Sequence, residues 1–274
     1  MKTKAFVIAL AAFGTAFTGC NDDDNFKVNG TIENAFRTQY PHATRVEWEG
    51  KGGYYVADFR LDNADAEAWY DQGGKWYLTE TDVHFADLPQ AVKDGLAASD
   101  YATWRVDDVD KLERPDTETV YVIEVEQANT EYDLYFSPDG LLVKAIPDGN
   151  DSPHQPSVVP EAVKTYIAAN YPGAKIIDID LERTVIEVDI VDGRTPREVT
   201  FTLTGEWVHT KTEVRKADVA DVVLNALTAS EYGTWKIDDI DLYDTPAVDY
   251  YLFELESGSR EVDLKISVDG NIIP

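Results

Sequence analysis

Two acidic runs offer the first candidates for chemistry. Asp107, Asp108 and Asp110 crowd into one stretch, and Asp238, Asp239 and Asp241 repeat the pattern. Clustered carboxylates are oxygen ligands suited to calcium, but a calcium loop also needs a glycine at its sharp turn and a closing glutamate. Both runs lack these. Both also interleave with apolar residues, Val106 and Val109 in one and Ile237 and Ile240 in the other, as a solvated strand edge does. They read first as strand edges and second as metal ligands. The histidines, His42, His84, His154 and His209, share no ligand spacing and no repeated position. One cysteine, Cys20, excludes an intramolecular disulfide, a thiolate zinc cluster and an iron–sulfur cluster. There is no Gly-x-Ser-x-Gly elbow, no phosphate-binding glycine loop and no His-Glu-x-x-His stretch. The expectation is a protein that is not an enzyme, with no cofactor.

The aromatic residues are more suggestive. Trp48, Tyr54, Tyr55, Trp69, Tyr70, Trp76 and Tyr77 fall in one segment. In a strand, neighbours such as Tyr54 and Tyr55, or Trp69 and Tyr70, point to opposite faces. One of each pair should therefore reach a sheet face that no helix covers. Exposed aromatics on a rigid sheet are common recognition anchors. Trp48, Tyr54, Trp69 and Trp76 are the expected binding residues, on the face opposite the helices.

Such anchors need a scaffold, and the chain is built to supply one. Its 274 residues are 43 % hydrophobic, enough for a packed core. With 24 Lys+Arg against 52 Asp+Glu the net charge is −28, which excludes a general nucleic-acid binder. A duplication runs through it. Tyr40-Pro41 recurs as Tyr171-Pro172, and Gly74-Lys75-Trp76 recurs as Gly205-Glu206-Trp207. The stretch from Asp100 to Asp110 recurs from Glu231 to Asp241 with six of eleven positions identical. Two units follow, 30–148 and 157–274, with a Pro-rich polar linker at 149–156. Leu88-Pro89-Gln90-Ala91-Val92-Lys93 also resembles Val159-Pro160-Glu161-Ala162-Val163-Lys164, so each unit holds two shorter modules, each opening with a helix.

Helices are expected at 31–39, 88–98, 160–169 and 217–229, with Asp87 as an N-cap and Pro stopping the first and third. Between them the period becomes two, as in Glu131 to Phe136, where Tyr132, Leu134 and Phe136 share a face. Gln72-Gly73-Gly74, Pro138-Asp139-Gly140 and Val268-Asp269-Gly270 read as hairpin turns. The expected fold class is α+β, with antiparallel sheets carrying helices on one face.

Residues 1–19 read as an export signal: Lys2 and Lys4, an apolar run too short to span a bilayer, then Phe17-Thr18-Gly19-Cys20. That tetrapeptide resembles a lipobox, with Phe17 where Leu is usual, so Cys20 is the expected lipidation site and the only membrane attachment. Residues 20–29 form an acidic tether; Asp22 to Asp24 resemble a surface-export signal of some Gram-negative lipoproteins. An outer-membrane lipoprotein, facing the periplasm or the cell surface, is the expected location.

Val46-Glu47-Trp48-Glu49, Gly53 to Phe59 and Ala68 to Trp76, followed by Thr79-Glu80-Thr81, Leu88-Pro89 and the strand from Tyr121 to Gly140, resemble the PepSY-like, β-lactamase-inhibitor-like lipoproteins. The second unit departs from the pattern, with Ile179 at the position of Trp48. The resemblance implies tandem helix-plus-sheet modules and no established catalytic residues. The expected function is a lipid-anchored envelope module that binds a protein, inhibitor-like toward an enzyme. The alternatives are a carbohydrate-binding surface lipoprotein and a structural or calcium-dependent spacer.

Overall fold

The computed structural model describes residues 27–147 and 154–273. The export signal, Cys20 and most of the acidic tether lie outside them.

In the first half, α1 (Gly30–Gln39) is followed by β1 (Thr44–Lys51), β2 (Tyr54–Leu61), β3 (Ala64–Tyr70) and β4 (Trp76–Asp82). Then α2 (Gln90–Ala98) precedes β5 (Arg105–Glu113), β6 (Val120–Gln127), β7 (Thr130–Phe136) and β8 (Leu142–Pro147). The second half repeats this order. It runs α3 (Glu161–Asn170), β9 (Lys175–Leu181), β10 (Val185–Asp192), β11 (Thr195–Thr202) and β12 (Trp207–Glu213). It ends with α4 (Asp221–Ala229), β13 (Lys236–Asp244), β14 (Tyr250–Ser257), β15 (Arg260–Ser267) and the short β16 (Ile272–Ile273). Each half is one eight-stranded antiparallel sheet in which every strand pairs with its sequence neighbour. Sheet dominates; the helices are short and sit on one face.

Each helix is held by two apolar residues one turn apart: Ile32 and Phe36, Val92 and Leu96, Val163 and Ile167, Val223 and Leu227, all buried. That spacing places both on one helical face. In the first sheet α1 covers Ala57, Phe59, Ala66, Ala68 and Tyr70, and α2 covers Val109, Ile123, Val125, Leu134 and Phe136. Tyr132, Leu134 and Phe136 share the α2 side, as their alternation requires.

Two helix starts differ from expectation. Asp87 does not cap α2; it lies in a 3-10 turn, and Pro89 stands at the N-cap with no side-chain hydrogen bond. In α4 the helix begins at Asp221, because residues 216–218 form a 3-10 turn and Val219 stays extended with its side chain buried in the core.

The repeated motifs have local causes. Trp76 donates its indole N–H to Thr79 Oγ1 at 2.8 Å, and the Tyr40 hydroxyl meets the same oxygen at 2.5 Å. Trp207, Thr210 and Tyr171 reproduce this at 3.1 and 2.7 Å. The triad ties the end of α1 or α3 to its sheet. In the Pro138-Asp139-Gly140 turn, Gly140 has φ of 78° and passes so close to α2 that a Cβ would lie 2.0 Å from the Ala91 carbonyl oxygen. The repeated Asp-Asp pairs mark register shifts, between Val106 and Val109 and between Ile237 and Asp239. There the strand carries an extra residue.

The halves also share a core. Val56, Trp69, Leu78, Leu112, Val120, Val122 and Tyr135, on the helix-free face of the first sheet, cluster with Ile177 and Val191 of the second half. The Glu118 N–H donates to the Ile176 carbonyl at 2.7 Å, adding a backbone link.

Candidate functional site

The helix-free faces are where a partner could be met, and the two differ. In the first sheet the four expected binding aromatics separate. Trp48 and Trp76 lie on the helix side, packed against the α1 core, rather than on the opposite face. Trp48 stacks edge-on against Phe36 at 5.4 Å. Trp69 does point to the helix-free face but is 2 % exposed, under Ile177 and Val191. Tyr54 is on that face and half-buried, 5.3 Å from Tyr77.

The same face turns acidic toward its other end. Asp58, Glu67, Glu80, Asp82 and Asp110 project there, and a surface cleft of about 320 Å³ is lined by Asp58, Asp65, Glu67, Glu80 and Asp82 together with Arg45 and Arg60. Burial, reinforced by Glu67 and Glu49, pushes the Asp58 carboxyl up to about 6. Burial and then Glu80, Asp108, Asp82 and Asp133 push Asp110 up to about 8.

The expected acidic runs are not drawn together. Asp107 pairs with Arg105, Asp108 is exposed, and only Asp110 turns inward. Asp238 pairs with Lys236 at 2.7 Å, Asp239 is half-buried, and Asp241 is buried. Burial lifts Asp241 to about 6 despite Lys211.

On the second sheet, paired strands β9 and β10 bring Asp178 directly opposite Asp189. Lys144, from β8 of the first sheet, reaches between them. Its Nζ is 2.6 Å from Asp178, 2.8 Å from Asp180 and 3.0 Å from Asp189. Arg114 adds a second cation 3.0 Å from Asp178. Burial would raise Asp178, yet Lys144 and Arg114 hold it below the usual carboxylate range. Asp189 is pushed up to about 7 by burial, which outweighs Lys144. Farther along, His209, Tyr243 and Tyr250 form a half-buried aromatic row. Tyr243 and Tyr250 stack at 5.0 Å with a 5° interplanar angle, and His209 lies 5.2 Å from Tyr243. Glu198 and Lys211 pair beside it at 3.5 Å. Burial lowers the proton affinity of His209, favouring the neutral ring.

Sequence reasoning missed Lys144, Arg114, Asp178 and Asp189. Their signal is a charge inside an apolar run: Asp178 between Ile177 and Ile179, Lys144 between Val143 and Ala145. It also missed Tyr243 and Tyr250, which read as ordinary strand residues until pairing set them side by side.

These features define a tandem-repeat, sheet-dominated protein whose halves each carry helices on one face only. The chain belongs to the family described as "Putative beta-lactamase-inhibitor-like, PepSY-like", whose sequence model matches residues 53–144, 150–195 and 184–274. A BLIP-like protein from Bacteroides fragilis is 39 % identical, over 49 % of this chain and 97 % of that one, with a TM-score of 0.46. A DUF2874 family protein from Bacteroides ovatus is 32 % identical, over 45 % and 89 %, at 0.43. A protein from Bacteroides eggerthii described as periplasmic is 26 % identical, over 44 % and 90 %, at 0.42. No curated protein matches the chain.

Proposed function

We propose that this chain is a non-catalytic module of the cell envelope that binds a protein through a helix-free sheet face, in the manner of an inhibitor. The observation that carries this reading is the stacked Tyr243–Tyr250 pair with His209 beside it, half-exposed on the second sheet. Flat, rigid aromatics beside paired charges are the residue types that anchor protein interfaces. The second sheet is favoured over the first because Ile177 and Val191 already cover Trp69. Tyr54, with Tyr77, is the part of the first unit that retains access. The export signal read in residues 1–19 supports an envelope setting. Attachment there would rest on a lipid at Cys20, so Cys20→Ser should leave the membrane fraction.

The test is capture from native envelope with the chain from residue 27 onward. Tyr243→Ala with Tyr250→Ala should abolish capture of a specific protein while circular dichroism and melting stay near those of the parent. Unchanged capture by the double variant would refute this face as the site. Retention of polysaccharide instead of protein would favour a carbohydrate-binding surface.

A further inference from the structure

We propose that Glu80, Asp110 and His154 bind one divalent transition-metal ion of the zinc type, fastening the segment ahead of α3 onto the first sheet. Glu80 is on β4 and Asp110 on the adjacent β5, where Asp82 pairs with Asp110 and Glu80 with Leu112. That register puts Glu80 and Asp110 on one face, two positions apart. His154, from the segment between the two sheets, lies over them. Ligand-capable atoms of the three residues all fall within 4.8 Å of one another.

The geometry around His154 suits a metal ligand. Its Nδ1 is 3.2 Å from Glu80 Oε2. Ligands at zinc bond lengths stand roughly 3.3 Å apart along a tetrahedral edge. Its Nε2 is 3.1 Å from the Tyr135 hydroxyl, so the far nitrogen is already held. Metal-binding imidazoles are commonly oriented by such a contact on the other nitrogen.

Asp110 supplies a second, independent observation. Its Oδ1 is buried and has no hydrogen-bond partner. Its partner across the β4–β5 pairing is another carboxylate, Asp82. A buried carboxylate oxygen without donor or cation is costly, and a bound cation removes that cost.

Comparison within the molecule points the same way. Three clusters of acidic or histidine side chains are close enough to hold an ion among the described residues. Asp178, Asp180 and Asp189 enclose Lys144. Glu49 and Glu67, beside Asp58, each meet Lys51 at 3.3 Å. The Glu80–Asp110–His154 cluster is the one with an imidazole, and among the described residues no lysine or arginine ion pair to Glu80 or Asp110 accompanies it. One nitrogen and two carboxylate oxygens suit zinc or a similar ion better than calcium, which takes oxygen ligands.

The experiment is calorimetric titration of zinc into the chelator-treated chain from residue 27 onward at pH 7.5, with calcium in parallel. One equivalent of zinc should bind, with calcium at least tenfold weaker. His154→Ala and Asp110→Asn should each weaken zinc binding at least tenfold, while Asp108→Asn should change it less than threefold. Cobalt should give a visible absorption band that His154→Ala removes. Absence of zinc binding, zinc binding untouched by His154→Ala and Asp110→Asn, or equal affinity for calcium would each overturn the proposal. Circular dichroism separates lost binding from lost folding, and retained zinc binding in a folded His154→Ala variant counts against the site.

Discussion

The Lys144 ammonium stands 2.6 Å from the Asp178 carboxylate across the boundary between the two sheets. Both groups are largely withdrawn from water, with side-chain exposures of 16 % and 6 %. Lys144 also meets Asp180 and Asp189, and its Nζ lies 4.7 Å from the centroid of the Tyr135 ring. A lysine normally resists burial. Here three carboxylates raise its proton affinity further than burial lowers it, so it stays charged.

Removing that cation should be expensive. Lys144→Met keeps the apolar stem but leaves Asp178, Asp180 and Asp189 facing each other with Arg114 alone. Breaking one partner of a buried pair costs about 3–5 kcal/mol. Urea unfolding at pH 7 should show a loss of that order. The double variant Lys144→Met with Asp189→Asn should recover part of it. A loss below about 1 kcal/mol, typical of exposed pairs, would mean that water reaches the cluster.

Trp69 tests the shared core. Trp69→Ala should cost about 3–5 kcal/mol in the whole chain, as large-to-small changes in a packed core do. Its Nε1 is buried with no hydrogen-bond partner, so Trp69→Phe, which removes that orphan donor, should cost clearly less. In residues 27–147 alone, without Ile177 and Val191, the cost of Trp69→Ala should fall. Equal costs in both forms would show that the second half does not cover this side chain.

The sequence carried the repeat, the strand alternation and the hairpin turns, because each rests on local spacing. Tyr54 against Tyr55 and Trp69 against Tyr70 do point to opposite faces, as period two demands. What spacing could not show is which face lies under helices and what packs on the other. Trp48 therefore read as an anchor, although Ile179 in the equivalent position, buried in the second core, already hinted at packing. Lys144 and Asp178 come together only through contact between halves, and no local pattern encodes that. His154 had no repeat partner and looked incidental; its two contacts, to Glu80 and Tyr135, join residues 74 and 19 positions away.

Gly140 should tolerate no side chain. At φ of 78° any L residue is strained, and a Cβ would meet the Ala91 carbonyl oxygen at 2.0 Å, which is backbone and cannot swing aside. Gly140→Ala should cost on the order of 2 kcal/mol or more, through strain at a special backbone position. At the repeat position Gly270, also at positive φ, the nearest atom is the end of a side chain, Val222 Cγ2 at 2.8 Å, and the backbone Val222 carbonyl oxygen stands back at 3.0 Å. Gly270→Ala should therefore cost less. Melting temperatures of the two variants compare them directly, and the reverse ranking would contradict the packing of α2 on the first turn.

Stability should rise as the pH falls from about 8.5 to about 5.5, against the usual acid trend. Burial, the first cause in each case, lifts Asp58 and Asp241 to about 6, Asp189 to about 7 and Asp110 to about 8. An unfolded aspartate releases its proton near 3.9, so between roughly pH 4 and 8 the folded chain holds protons that the unfolded chain has lost. Linkage then makes unfolding free energy decrease with rising pH across that window. Asp71 and Asp178 act oppositely: both are lowered in the fold, so their contribution is complete above the unfolded value and disappears only as the pH falls below it. The two sets together place maximal stability in mildly acidic solution. The check is melting temperature from pH 4 to 9 at fixed ionic strength with chelator present, because a metal at Asp110 would compete with its proton. A higher melting temperature at pH 5.5 than at 8.5 is expected, and Asp110→Asn should flatten the upper part of that slope. A melting temperature that instead climbs from pH 5.5 to 8.5 would show that these buried carboxylates stay ionised, with cations closer to them than the fold provides.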